Sequence, residues 1–432
     1  MIYLGIFLLL FLSLAFIRVP VPFAMGIASV LTMVYAGLNI LTVPMSVGNS
    51  LNIFTWLAIP AFIFAGDLMA ATGIASAIMM FSKSFIGRLR GAAGAVTVVT
   101  CMLFGAITGS SLATITGIGG MMLPELEKEG YDKRYGTALI SACGFLGILI
   151  PPSIPGIIYA MMSGQNLLKV WLCTVTPGIA LGLLYILINY LVKGRKESKP
   201  TEPFKLSTYT VGIAVATWKS LVALLMPVII FYGIYGGIFT PTEAGAVAVA
   251  YGLLVGWVIL PLARKGWPQK KFKQLVKDAA VTSATIAMLN VFAAVAGKMV
   301  TYTRIPEYLT DAMLEITDSK IVFLLVLNIV LIIVGMFMET NSSILLLGPI
   351  LIPVAMSFGV DPIHFAAIML LNLEIGMITP PFAVNLFVGC KVGKLNMDEV
   401  LPHMVPFYIA AFIVLMITTY IPSVVMFLPN LI

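Results

Sequence analysis

The sequence predicts an all-α polytopic membrane protein assembled from two inverted repeats. Three observations predict it. Of 432 residues, 60% are hydrophobic and only 10% are charged, against roughly 25% charged in a soluble domain. Apolar runs long enough to cross a bilayer recur along the chain. Paired motifs also return at one fixed spacing, which marks an internal duplication.

Composition excludes several classes at once. The 43 charged side chains are too few to solvate a soluble chain of this length. The four cysteines make no CxxC pair, and the two histidines, His364 and His403, form no metal motif. No GxxxxGK[ST] loop is present, so the chain brings no ATPase of its own. Nucleic acid is not an expected partner; the lipid bilayer is. The run Met1–Ile17 lacks a basic start and a small-residue cleavage site, so it reads as a retained first span.

A crossing helix needs about 20 apolar residues. Ten crossings are expected, at roughly 2–17, 21–38, 51–72, 135–163, 168–192, 214–235, 243–262, 279–303, 362–390 and 404–428. Two further segments, about 92–124 and 321–356, are interrupted midway by small polar residues. Each half is about 13 to 18 residues, short of the roughly 30 Å hydrocarbon core, so both read as re-entrant hairpins. Basic residues mark the cytoplasmic side. With the N-terminus outside, 21 of the 25 basic residues fall inside, leaving Lys169, Lys298, Arg304 and Lys320 outside. The net charge of +7 is thus a topology signal.

The repeat is legible in three matches. Gly147-Ile-Leu-Ile-Pro-Pro-Ser153 corresponds to Gly376-Met-Ile-Thr-Pro-Pro-Phe382, and Ser110-Ser111 to Ser342-Ser343. Phe62–Gly66 corresponds more loosely to Phe292–Gly297. The offset is about 230 residues. The predicted organisation is a first repeat at 1–192, a charged cytoplasmic linker at 193–213 and a second repeat at 214–432. Each repeat holds five crossings and one hairpin. Five is odd, so the second must sit upside down, the arrangement of secondary transporters.

The chemistry is expected where hairpin tips meet broken helices. The tips are Thr108-Gly-Ser-Ser111 and Glu339-Thr-Asn-Ser-Ser343; the breaks are Ile150-Pro-Pro-Ser153 and Thr379-Pro-Pro381. Proline removes a backbone donor and clashes with the preceding turn, which frees carbonyls. Free carbonyls at membrane depth are tolerated only inside protein or beside a water-filled cavity. With Ser, Thr and Asn oxygens they form a hard-oxygen cage that suits Na⁺. Helix N-termini at the same tips suit a carboxylate. The bland reading is that a membrane proline is only a kink and a hydroxyl bonds its own helix. The recurrence of both motifs at one offset favours the site reading. Intramembrane acids are functional candidates by default: Asp67, Glu339 and Glu374 are candidates for gating or coupling, against a helix-end anchor for Asp67 and a hydrogen-bonded structural carboxyl for the glutamates. Lys298 and Arg304 read as interfacial cations.

At these motifs the chain resembles a known family. Gly105-Ala-Ile-Thr-Gly-Ser-Ser-Leu-Ala-Thr114, Leu146–Pro155, Gly237-Ile-Phe-Thr-Pro-Thr-Glu-Ala244 and Asn372–Pro381 are similar to the large membrane (M, DctM-type) subunit of tripartite ATP-independent periplasmic (TRAP) transporters. The resemblance covers nearly the whole chain. It implies an elevator-type fold and Na⁺-coupled import of an organic anion such as a C4-dicarboxylate or sialic acid. It implies two partners, a small four-helix membrane subunit (Q type) and a periplasmic solute-binding protein. It implies the bacterial inner membrane. Carried over, the Na⁺ positions are Ser110, Ser111, Gly147 and Pro151 in the first half, and Asn341, Ser342, Gly376 and Thr379 in the second. Substrate would lie between the tips, near Thr108, Gly109, Ser153, Thr340, Ser343 and Pro381. Because the chain begins directly at the first span, a separate small subunit is expected. The competing readings are a stand-alone Na⁺- or H⁺-coupled carboxylate symporter of the same superfamily and, from another class, an integral-membrane enzyme, for which no nucleophile–base set is visible.

Overall fold

A computed structural model of the protein describes residues 2–87, 90–194, 206–262 and 271–432. Most of the expected linker therefore lies outside the described residues, as do Arg88, Arg195, Lys196, Lys199, Lys205, Arg264, Lys265 and Lys270.

Among the described residues every regular element is a helix. The first half contains α1 (Ile2–Phe16), α2 (Val21–Tyr35), α3 (Thr42–Leu51), α4 (Ala58–Ala71) and α5 (Ile74–Ile86). It continues with α6 (Ala92–Thr108), α7 (Ser111–Lys128), α8 (Lys133–Gly144), α9 (Leu146–Leu149), α10 (Ile154–Ser163) and α11 (Leu167–Asn189). The second half contains α12 (Leu206–Tyr235), α13 (Pro241–Leu253), α14 (Leu260–Leu262), α15 (Phe272–Tyr302) and α16 (Ile305–Ile316). It ends with α17 (Lys320–Phe337), α18 (Thr340–Ser357), α19 (Pro362–Ile378), α20 (Val384–Gly393), α21 (Met397–Tyr420) and α22 (Pro422–Met426). Among the described residues, seven helices are long and apolar enough to cross a membrane, and α8–α9 with α10 make an eighth candidate bent by 44°.

The element order returns with the sequence offset. The starts of α5 and α16 lie at 74 and 305, of α6 and α17 at 92 and 320, and of α7 and α18 at 111 and 340. Those of α8 and α19 lie at 133 and 362, of α10 and α20 at 154 and 384, and of α11 and α21 at 167 and 397. The caps that fix these starts return too. Asp132 accepts the Arg134 backbone N–H at 2.7 Å, and Asp361 accepts that of Ile363 at 2.7 Å. Each satisfies a first-turn donor that the helix itself cannot pair.

The hairpin arms fall at the upper end of the expected 13 to 18 residues: α6 has 17, and α7, α17 and α18 have 18 each. At 1.5 Å per residue an 18-residue arm reaches about 27 Å. The sequence reading passed over α5 and α16. With 13 and 12 residues they are too short to cross, yet they are clearly helical.

Packing divides the helices into a flank and a bundle. In the flank, α4 lies on α13 and α15, and α15 lies on α2 and α3. Small residues permit this: a Cβ on Gly245 of α13 would stand 2.8 Å from the Ala61 Cβ. In the bundle, α6 contacts α7, α8 and α9, and α17 contacts α19. Across the repeats the second halves of the broken helices are exchanged. The α20 helix packs on α7 and α8, and α10 packs on α18. Gly389 and Gly393 of α20 sit directly against Ser141 and Thr137 of α8, with no room for a side chain. Each hairpin thus packs on the first part of its own broken helix and on the second part of the other half's.

Candidate functional site

The two tips are short turns between apolar helices. At the first, α6 ends where Gly109 adopts the left-handed conformation, φ 61°, and Ser110 is the N-cap of α7. The Ser110 hydroxyl accepts from the Ala113 N–H at 3.4 Å. At the second tip Glu339 is the N-cap of α18. Its carboxylate accepts the N–H groups of Asn341 at 3.0 Å and Ser342 at 3.3 Å, and the Asn341 side-chain amide at 2.6 Å. The α18 N-terminus is thus occupied by an acid of its own chain, whereas the α7 N-terminus is held only by a hydroxyl.

The breaks lie immediately behind the tips. Pro151–Pro152 and Pro380–Pro381 are both cis peptides. The chain leaves helix at Ile150 in one copy and at Thr379 in the other, both extended. Each break is pressed against its hairpin by a pair of glycines. A Cβ on Gly105 of α6 would collide with the backbone of Gly147, and one on Gly147 with that of Gly105. In the second half Gly335 of α17 and Gly376 of α19 are related in the same way, and a Cβ on Gly335 would lie 3.0 Å from the Gly376 Cα. Only the absence of a side chain lets backbone meet backbone here.

Both tips open onto one cavity of about 580 Å³. Thr108, Gly109, Ser110 and Ser111 line it from the first tip, and Glu339, Asn341 and Ser342 from the second. Asp67 of α4 and the face of α15 carrying Thr282 and Thr285 close the other side. Gly66 brings α4 up to the first tip, where its Cβ would stand 3.2 Å from the Thr108 Cα. Eight of the residues singled out from the sequence therefore line one space.

The others lie elsewhere. Thr340 and Ser343 are fully buried beside the second tip, and the Ser343 hydroxyl donates to the Glu339 carbonyl at 3.0 Å. Gly147, Pro151 and Gly376 are buried behind the cavity wall, and the half-buried Thr379 donates to the Ile375 carbonyl at 2.7 Å. Ser153 is 2% exposed with no partner for its hydroxyl, while its carbonyl accepts from Trp171 Nε1 at 3.2 Å. Pro381 is exposed at the outer edge of its break and does not line the cavity. Glu374 is fully buried off the cavity; its Oε1 accepts the Thr340 hydroxyl at 2.6 Å. Lys298 is exposed over the Tyr302 ring, 5.8 Å from its centroid, and Arg304 is exposed.

Sequence reading missed Asn385, Thr282, Thr285 and the partner glycines Gly105 and Gly335. A signal existed for each. Thr282 and Thr285 lie at one-turn spacing in a mostly apolar run, Asn385 is the polar residue just after the second break, and the glycines keep the repeat offset. Among the described residues no group of three or more His, Cys, Asp or Glu forms a metal cluster. The cavity instead presents hydroxyls, amides, helix ends and two acids. Groups of this kind can hold and orient a small polar solute.

Comparison with known proteins agrees with this geometry. The profile described as tripartite ATP-independent periplasmic transporter, DctM component, matches residues 8–424. The chain belongs to the DctM family. The chain is 34% identical to the C4-dicarboxylate TRAP transporter large permease protein DctM of Vibrio cholerae, over 98% of the chain and 96% of the relative. It is 32% identical to the sialic acid large permease protein SiaM of the same organism, covering 97% of each. It is 37% identical to the isethionate permease protein DctMQ of Oleidesulfovibrio alaskensis over 95% of the chain, but spans only 64% of that relative's length. Among solved structures, the YdaH transporter of Alcanivorax borkumensis shares the fold with a TM-score of 0.55 and 14% identity, covering 85% of this chain and 86% of that one. The chain is accordingly a multi-pass membrane protein and a member of a transporter family.

Proposed function

We propose that this DctM protein is the large permease subunit of a Na⁺-coupled TRAP importer for an organic anion. One observation carries the reading: the two tips, far apart in sequence, converge on a single cavity of about 580 Å³ between bundle and flank. The relatives named above are described as transporters of a dicarboxylate, a sialic acid and a sulfonate, all organic anions. The N-terminal end of α7, capped only by the Ser110 hydroxyl, faces the cavity and suits an anionic head group. Na⁺ enters as co-transported cargo. Ser110, Ser111, Gly147 and Pro151 would supply oxygens at the first tip, and Asn341, Ser342, Gly376 and Thr379 at the second. The Asn341 Oδ1 atom supports the second set, because it is buried with no hydrogen-bond partner, and a buried acceptor without a partner is costly.

The remainder follows the family. A periplasmic binding protein would deliver the solute and a small four-helix membrane subunit would brace the flank. The bundle would carry cavity and ions across the inner membrane by an elevator motion, with the N-terminus periplasmic.

The test is uptake in liposomes containing the full three-part system. Labelled solute should accumulate under an inward Na⁺ gradient and cease when K⁺ replaces Na⁺; uptake indifferent to that exchange refutes the coupling. Ser111→Ala should raise the Na⁺ concentration for half-maximal uptake about tenfold, the lower end of what losing one metal-site interaction costs.

A further inference from the structure

One chain of buried side chains runs behind the cavity wall and joins its two tips. Thr340, immediately between the cavity residues Glu339 and Asn341, donates its hydroxyl to Glu374 Oε1 at 2.6 Å. The other Glu374 oxygen accepts the Asn385 amide at 3.4 Å. The Asn385 Oδ1 atom accepts the Ser111 hydroxyl at 3.1 Å, and Ser111 lines the cavity from the first tip. Thr340, Glu374 and Asn385 are all fully buried. The path runs from tip to tip through α18, α19, α20 and α7, and it exists because α20 is seated on the hairpin of the other repeat.

As placed, Thr340 and Ser111 each donate, Glu374 accepts at both oxygens, and Asn385 turns its amide to Glu374 and its carbonyl to Ser111. No member can turn without leaving a buried group unpaired, which costs free energy in a dry interior. An ion that recruits the Ser111 hydroxyl as a ligand changes what Asn385 receives, and with it what Glu374 and Thr340 hold.

We propose that Glu374 and Asn385 are positioning residues which strap the two tips together, so that occupancy of one tip by cation favours occupancy of the other. This rests on the Na⁺-coupled reading above. The strap predicts a sigmoidal response to Na⁺ that steepens through a contact touching neither ion nor solute.

The experiment uses the full chain purified in detergent, titrated with NaCl against KCl, with thermal unfolding as readout, and the three-part system in liposomes for uptake. Asn385→Asp sets two carboxyl groups face to face and removes the donor to Glu374. It should lower the Hill coefficient for Na⁺ towards 1 and raise half-saturation several-fold. The double variant Glu374→Gln/Asn385→Asp restores the contact in reverse, with the amide now on position 374 and the Ser111 hydroxyl still donating to position 385. It should return both parameters to within about twofold of the starting protein, a coupling that only interacting neighbours show. The proposal is overturned if Asn385→Asp lowers maximal uptake alone with the Hill coefficient unchanged, or if the double variant is no better than the single. A Na⁺ response already hyperbolic in the unaltered protein also overturns it, while leaving Na⁺ coupling standing. Unfolding and uptake indifferent to Na⁺ would instead defeat the coupling itself.

Discussion

Gly105 and Gly147 show how much one missing side chain decides. They let the first broken helix touch its hairpin backbone to backbone, and Gly335 with Gly376 do the same in the second half. Gly147→Ala and Gly376→Ala should each destabilise by about 1–3 kcal/mol, the usual cost of overpacking a tight contact. Gly120→Ala is the control. It lies in α7 with nothing within 4 Å of its Cβ position, and replacing a helix-interior glycine there should stabilise by up to about 1 kcal/mol. Thermal unfolding in detergent measures all three. A second residue test comes from the repeat itself. The chain leaves α10 through Gly164 at φ 66°, but leaves α20 through Lys394 at φ 51°. Since a side chain in that region costs roughly 1–2 kcal/mol, Lys394→Gly should raise the unfolding temperature. The glycines were visible in the sequence only as parts of motifs. Gly147 and Gly376 drew notice through the family resemblance, while their partners 42 and 41 residues upstream keep the repeat offset but show what they touch only once the helices are placed. Asn385 was overlooked for a similar reason. Its importance comes from Ser111, 274 residues away, and no local pattern announces a contact of that range.

Among the elements, α5 and α16 were the least legible. Hydropathy finds helices through length, and 13 or 12 residues fall below the span threshold. What identifies them is amphipathicity, clearest in α16, where Ile305 is buried and Leu309 and Met313 are half-buried while Glu307, Asp311 and Glu315 are exposed. The broken helices and hairpins were legible because proline, glycine and serine act through local backbone chemistry that sequence states directly. The α5 helix is tied to the far end of α7 by Lys83, whose ammonium lies 2.8 Å from a Glu125 carboxylate oxygen. That hydrogen bond and charge hold the Glu125 carboxyl below its ordinary value of 4.5. A depressed carboxyl contributes stability above its ordinary pKa and loses it as pH falls through the depressed one. The pair should therefore contribute at pH 7 and fade below about pH 4. With the lysine side chain 55% exposed, Lys83→Met should cost less than about 1 kcal/mol, and the cost should shrink in high salt. Denaturation compared at pH 7 and pH 4, in low and high salt, measures it.

At the scale of the molecule, the governing feature is the exchange of α10 and α20 between hairpins. Two repeats that merely sat side by side would each keep their own core. Here the cavity has a wall from each half, and each half is completed by the other. Residues 1–194 and 206–432 produced as two chains in one cell should copurify as a stable complex. Either half produced alone should be degraded or aggregate. Recovery of one stable half by itself would show that the exchange is dispensable. Of this arrangement the sequence disclosed the repeat spacing and the pieces. It could not disclose which hairpin each broken helix rests on, because both pairings satisfy the same apolar pattern.

The same exchange sets a clock on biosynthesis. The groove between α7 and α8 is complete when residue 144 has been made, but α20, which fills it, ends at residue 393. At about 5–20 residues per second the ribosome needs roughly 12–50 s to supply it. Throughout that interval Thr137, Ser141 and the Ser111 hydroxyl stand open towards lipid or the insertion machinery. A nascent chain of this protein therefore has a defined window of vulnerability, and its length is fixed by the distance between the repeats.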